Sequence, residues 1–96
     1  MTEVRWTTQA ADDLQAIYDF IGRDSEQYAQ VIIEGILAAI DNLEQFPLLG
    51  RTVPERSRDD LRELIKPPYR IVYRVSEAIY ILTIFRTSRA FPSSLE

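Results

Sequence analysis

Polar and apolar residues alternate through Glu3-Val4-Arg5-Trp6, a period of two that predicts a short strand. From there the period changes. Ala11, Leu14, Ile17, Tyr18 and Ile21 recur at spacings of three and four and make one face of a helix. Thr7 or Thr8 offers its hydroxyl cap, Asp12 and Asp13 fall near its positive end, and Gly22 stops it. Asp24 with Gln27 three residues on has the form of a capping box for a second helix. Its stripe is Ala29, Ile32, Ile36, Ile40 and Leu43, widened by Ile33 and Leu37. A helix from Ser25 to about Gln45 spans roughly 30 Å at about 1.5 Å per residue. Two apolar-faced helices so closely linked predict an antiparallel hairpin.

Phe46-Pro47-Leu48-Leu49-Gly50 ends the helical pattern, since proline cannot continue it and glycine permits a turn. Residues 51–60, RTVPERSRDD, are polar and contain Pro54, which predicts a connecting loop. Leu61 to Ile65 then reads as a strand closed by the Pro67-Pro68 turn. Tyr69 to Val75 and Ala78 to Phe85 read as a hairpin around Ser76-Glu77. The tail RTSRAFPSSLE has no helical period. The predicted class is α+β in the order β-α-α-β-β-β, with the helical hairpin on one face of an antiparallel-rich sheet and residues 1–96 forming one domain.

Composition excludes several chemistries. The chain has neither cysteine nor histidine, so it lacks a thiolate nucleophile, the usual general base near neutral pH and the commonest metal ligand. Asp12-Asp13 and Asp59-Asp60 point apart and have no oxygen-cage spacing, Ser57, Ser76 and Ser88 have no triad base, and no glycine-rich phosphate loop exists. No metal and no cofactor is expected. Without a signal pattern or a long apolar run, a cytoplasmic protein with no membrane association is the expectation.

Charge changes the picture more than composition does. The net charge is −4, yet residues 1–48 hold two arginines against nine acids, whereas residues 49–96 hold nine cations against six acids. Alternation along Tyr69–Val75 puts Tyr69, Ile71, Tyr73 and Val75 on one face and Arg70, Val72 and Arg74 on the other. In the strand before it Arg62, Leu64 and Lys66 lie opposite Leu61, Glu63 and Ile65. With the apolar set against the helices, Arg62, Arg70 and Arg74 are expected together on a bare sheet face, with Leu64, Val72 and Leu82 or Ile84 between them. Arg86 and Arg89 leave the last strand nearby. Exposed aliphatics beside cations suit a protein partner as readily as a phosphate. The plainer alternative is that each arginine is solvated or paired with Glu63, Asp59 or Asp60, its stem covering apolar area.

Four stretches, VRWTTQAADDLQAIYDFI, FPLLGRTVPE, RELIKPPYRIVYRV and IYILTIFRTSR, follow one another over nearly the whole chain. Together they resemble the RelE/ParE superfamily of type II toxin–antitoxin toxins. The W-T-x-x-A-x-x-D-L entry and REL…YRIVYRV are most similar to the ParE-like branch, often called plasmid stabilisation proteins. The resemblance implies the same compact α+β fold, a growth-inhibiting toxin, and a cognate antitoxin that binds it in a hetero-oligomer. ParE-like members inhibit DNA gyrase. RelE-like members cut mRNA on the ribosome without metal, using arginine, lysine and tyrosine.

Carried onto this chain, the resemblance implies that Arg70 occupies the RelE-type strand position contacting the scissile phosphate, with Arg86 or Arg89 as a second cation. The tail offers Phe91 where RelE-like nucleases carry tyrosine or histidine, and RTVPERSRDD replaces a lysine-rich loop. Metal-free cleavage needs a base, an acid and a cation, and arginine supplies only the last. The expected function is therefore a ParE-like gyrase-binding toxin, with Arg62, Leu64, Arg70, Val72, Arg74, Arg86 and Arg89 as target- or antitoxin-binding residues. A RelE-like mRNA endoribonuclease using Arg70, Arg86 and Arg89 is the alternative. An inactive antitoxin-binding module is the third reading.

Overall fold

A computed structural model describes residues 1–95. The elements follow as β1 (Val4–Trp6), α1 (Thr8–Gly22), α2 (Glu26–Asp41), a 3-10 turn (Asn42–Glu44), β2 (Arg51–Thr52), β3 (Leu61–Lys66), β4 (Tyr69–Val75) and β5 (Ile79–Arg86). Thr7 caps α1, its hydroxyl accepting from the Ala10 N–H. Ser25, not Asp24, caps α2 by accepting from the Tyr28 N–H, so the expected capping box does not form. The two-residue strand β2 lies within a segment read as loop; its Arg51 and Thr52 pair with Glu63 and Arg62.

The strands make one sheet in the order β1-β5-β4-β3-β2. β5-β4-β3-β2 is antiparallel throughout, and β1 joins β5 in parallel through Val4↔Ile79, Arg5↔Tyr80 and Trp6↔Ile81. The architecture is α+β, with the helical hairpin on one face of a mixed, mostly antiparallel sheet. On that face Ile36, Ile40, Leu43, Ile71, Tyr73, Ile79 and Ile81 are buried, with Trp6, Leu14, Ile17 and Ile21 packed around them. Among the described residues no helix is long and apolar enough to cross a membrane.

The second face is not bare, contrary to the expectation from sequence. Val53, Leu61, Val72, Leu82 and Phe85 form a smaller buried cluster, over which Tyr80, Phe91 and Leu95 pack. The loop after β2 and the C-terminal tail thus act as a thin second cover. Phe91 meets Phe85 edge to face at 5.9 Å.

Strand β3 also faces the other way round. The two-residue Pro67-Pro68 turn pairs Lys66 with Tyr69, and that register runs on to Leu64↔Ile71, Glu63↔Val72 and Arg62↔Tyr73. Directly opposed residues share a face, so Arg62 and Leu64 belong with Tyr73 and Ile71 on the helix side. Leu61, Glu63 and Ile65 belong with Arg70, Val72 and Arg74. A register shift in the β4–β5 pairing, where Val72 and Tyr73 oppose Thr83 and Ile81, lets Leu82 join the second cluster, while Ile84 stays on the helix side.

Candidate functional site

The cations expected on one surface are distributed over three places. Arg70 lies under the second cover and is 8% exposed. Its guanidinium makes a two-pronged pair with Glu55, both N···O distances being 2.9 Å, and its Nε donates to Glu63 at 2.7 Å. Phe85 and Phe91 present their rings to the same group at 5.3 and 5.0 Å. Glu63 is fully buried and receives a second arginine, Arg51, whose Nε donates to it at 2.6 Å. The plainer alternative, Arg70 paired with Glu63, is the one the structure contains.

The electrostatic effect of this cluster is one-sided. Hydrogen bonds from Arg70 hold the Glu55 carboxyl down at about 2, against an ordinary value of 4.5. Hydrogen bonding to Glu55, then to Glu63, raises Arg70 further above its already high value despite burial. Each of the three guanidinium nitrogens of Arg70 donates to a carboxylate. Arg56 strengthens the lid by donating to the Pro92 carbonyl at 2.9 Å and lying 4.8 Å over Phe91.

Arg62 and Arg74 lie elsewhere. Arg62 donates to the backbone carbonyls of Gly50 and Asp59, each at 3.2 Å, and so fastens the β2 edge. Beside it the Tyr73 hydroxyl accepts from the Gly50 N–H and donates to the Pro47 carbonyl, both at 2.9 Å. A Cβ at Gly50 would come within 2.4 Å of the Glu63 carbonyl oxygen, which explains glycine there by close approach. Arg74 is half-buried and lies 4.6 Å over the Tyr80 ring. Leu64 packs toward the helices and Val72 is buried, so neither is part of an exposed aliphatic strip.

Arg86 and Arg89 do come together, at a place sequence reasoning did not identify. They line a cleft of about 500 Å³ between α1 and the end of β5, joined there by Arg23. The cleft exists because β1 covers β5 only as far as Ile81. Beyond that point the strand edge is open, and Asp13 of α1 turns back to satisfy it. Its carboxylate accepts from the Ile84 N–H at 3.0 Å, the Thr83 hydroxyl at 2.6 Å and the Gln9 amide at 2.8 Å. Asp13 is thus a cap for a sheet edge, which neither helix periodicity nor charge counting indicates. Among the described residues no cluster of acids could hold a metal ion.

Other proteins share this small sheet with a helical hairpin on one side. A solved chain from the chromosomal ParDE system of Pseudomonas aeruginosa matches with a TM-score of 0.74 and 30% identity, covering 90% of this chain and 96% of that one. The RelBE2 toxin–antitoxin complex of Mycobacterium tuberculosis shares the fold, with a TM-score of 0.58 at 22% identity over 88% of this chain and 96% of that one. Toxin RelE2 of Caulobacter vibrioides is 37% identical over 93% of this chain and 99% of its own length. A putative toxin, Y4kP, of Sinorhizobium fredii is 34% identical over 96% and 95%. Residues 4–91 match the family described as ParE toxin of type II toxin-antitoxin system, parDE. The chain belongs to that family and is a toxin of the RelE/ParE superfamily.

Proposed function

We propose that this toxin acts by binding rather than by catalysis, that its target is DNA gyrase, and that a cognate antitoxin neutralises it in the cytoplasm. The observation that carries this reading is the state of Arg70. A phosphate-contacting arginine must offer its fork to the substrate, and here that fork is closed on Glu55 and Glu63 beside two phenylalanine rings. No histidine exists to serve as base or acid, and Phe91 has no exchangeable proton. The net charge of −4 also argues against broad contact with ribosomal RNA. The match over residues 4–91 to the ParE family favours the same side.

The relative named RelE2, at 37% identity, favours a second reading: ribosome-dependent mRNA cleavage with Arg70, Arg86 and Arg89. That activity requires Glu55 to leave Arg70 before a phosphodiester can take its place. One experiment separates the two readings. Purified chain is added to a gyrase supercoiling assay and, in parallel, to a translating extract whose messages are mapped by primer extension. Loss of supercoiling with intact messages is expected. Codon-positioned cuts that disappear in Arg70→Ala would replace the gyrase reading with the nuclease one.

A further inference from the structure

The cleft at the open end of β5 has a composition at odds with its surroundings. Arg23 comes from the end of α1, Arg86 from the end of β5 and Arg89 from the tail, so three separate segments each deliver one guanidinium to one concavity. All three are exposed, and none takes part in an ion pair among the described residues. Arg86 lies 5.8 Å over Tyr69 and Arg23 lies 5.7 Å over Phe20, contacts that support the groups without neutralising them. The one carboxylate lining the cleft among the described residues, Asp13, is already committed to Gln9, Thr83 and Ile84. Between the cations the wall is apolar, formed by Ile17, Phe20 and Pro92 among others.

We infer that this cleft is a docking site for an acidic peptide segment with an apolar anchor, contributed by the antitoxin. Charge complementarity selects the occupant. Three cations without carboxylate partners among the described residues, in a chain of net charge −4, favour a short segment with a few carboxylates over a continuous polyanion. A nucleic acid strand extending past the cleft would meet the acid-rich helices, where Asp12, Asp19 and Asp24 lie nearby in sequence. The apolar wall gives a side chain something to bury, which a phosphate backbone does not need. Asp13 also decides the mode of binding. Because its carboxylate already occupies the Ile84 N–H, strand addition at that point is blocked, and recognition falls to guanidinium–carboxylate pairs.

The inference rests on the toxin–antitoxin reading for the source of the segment, but not on gyrase being the target. It is tested with the antitoxin encoded beside the gene, titrated calorimetrically against the full chain at about 50 mM and about 300 mM salt, where screening lengths differ more than twofold. Arg23, Arg86 and Arg89 are changed together to Gln, and in a second variant to Lys. Arg58→Gln, in the loop before β3, serves as control. The Gln variant is expected to bind roughly 100-fold more weakly at low salt and to lose most of its salt dependence, because rim charges act through long-range attraction. The Lys variant recovers the salt-dependent part, and the control binds as wild type.

An unchanged affinity in a Gln variant that melts like wild type would overturn the inference. So would tighter binding of a short oligothymidylate than of the antitoxin at the cleft, which would make it a nucleic-acid site. Expression of wild-type chain alone is scored for growth arrest alongside. Absence of arrest counts against the toxin reading, whereas the binding result stands or falls by itself.

Discussion

Two arginine clusters in this molecule, some residues apart in sequence, have opposite fates. Arg70 is 8% exposed and answers to two carboxylates, whereas Arg23, Arg86 and Arg89 are exposed around a cleft whose one acid among the described residues, Asp13, is otherwise engaged. The first spends its charge on holding a loop and a tail against the sheet. The second leaves its charge at the surface, without an ion pair among the described residues. The difference shows that a cation's position on a strand says little about its role until its neighbours' carboxylates are placed.

The sharpest way to break the comparison is Arg70→Ala. It leaves Glu63 buried with one exposed partner and takes away the cation that Phe85 and Phe91 both face, and should cost on the order of 3 kcal/mol in urea denaturation. A mild loss would mean that Arg70 is a spare group held in reserve. Gly50→Ala tests the same side of the molecule without touching a charge. Its methyl would press on the Glu63 backbone and Tyr73 hydroxyl, with an expected loss of about 2 kcal/mol by the same measurement. Tyr73→Phe removes one donor and one acceptor from the linker and should lower stability by about 1 kcal/mol or somewhat more.

Acid sharpens the contrast further. Because Glu55 is held at about 2 in the folded chain against 4.5 ordinarily, its contribution is complete above pH 4.5 and is lost as pH falls toward 2. Glu55→Gln should flatten that acid limb of a stability-versus-pH curve, and a limb that stays as steep would remove Glu55 from the lid. The smallest effect is expected at the other cluster. Replacing Arg23, Arg86 and Arg89 by Gln should change the unfolding free energy by less than about 0.5 kcal/mol each, since they are exposed and unpaired within the described chain. A larger loss would make them structural like Arg70.

Much of the fold was legible because its elements declare themselves by period. Both helices and strands β3 to β5 follow from spacing and turn residues, and of the two threonines offered as a cap, Thr7 and Thr8, the structure uses Thr7. β2 did not, as two polar residues carry no alternation to read. The phase of β3 was misread because Leu61, Leu64 and Ile65 put aliphatics on both sides of the strand. The signal was nevertheless present. A two-residue turn at Pro67-Pro68 pairs Lys66 with Tyr69 and so carries Arg62 to Tyr73 and Glu63 to Val72. Applied before the faces were assigned, it would have put Glu63 beside Arg70. The second cover was hidden for a different reason: Val53, Phe91 and Leu95 are single apolar residues in aperiodic segments, and only the folded sheet brings them together. Arg23 was likewise invisible, 63 residues from Arg86 in sequence.

The parallel pairing of β1 with β5 has a consequence for how this toxin comes into being. The first strand made is at the sheet's edge, and its only neighbour is the last strand made. During synthesis, at roughly 5 to 20 residues per second, Val4–Trp6 therefore waits several seconds for residues 79–81, whereas Arg70 waits a much shorter time for Phe91. The sheet is therefore completed late, in a closing event that joins its first strand to its fifth.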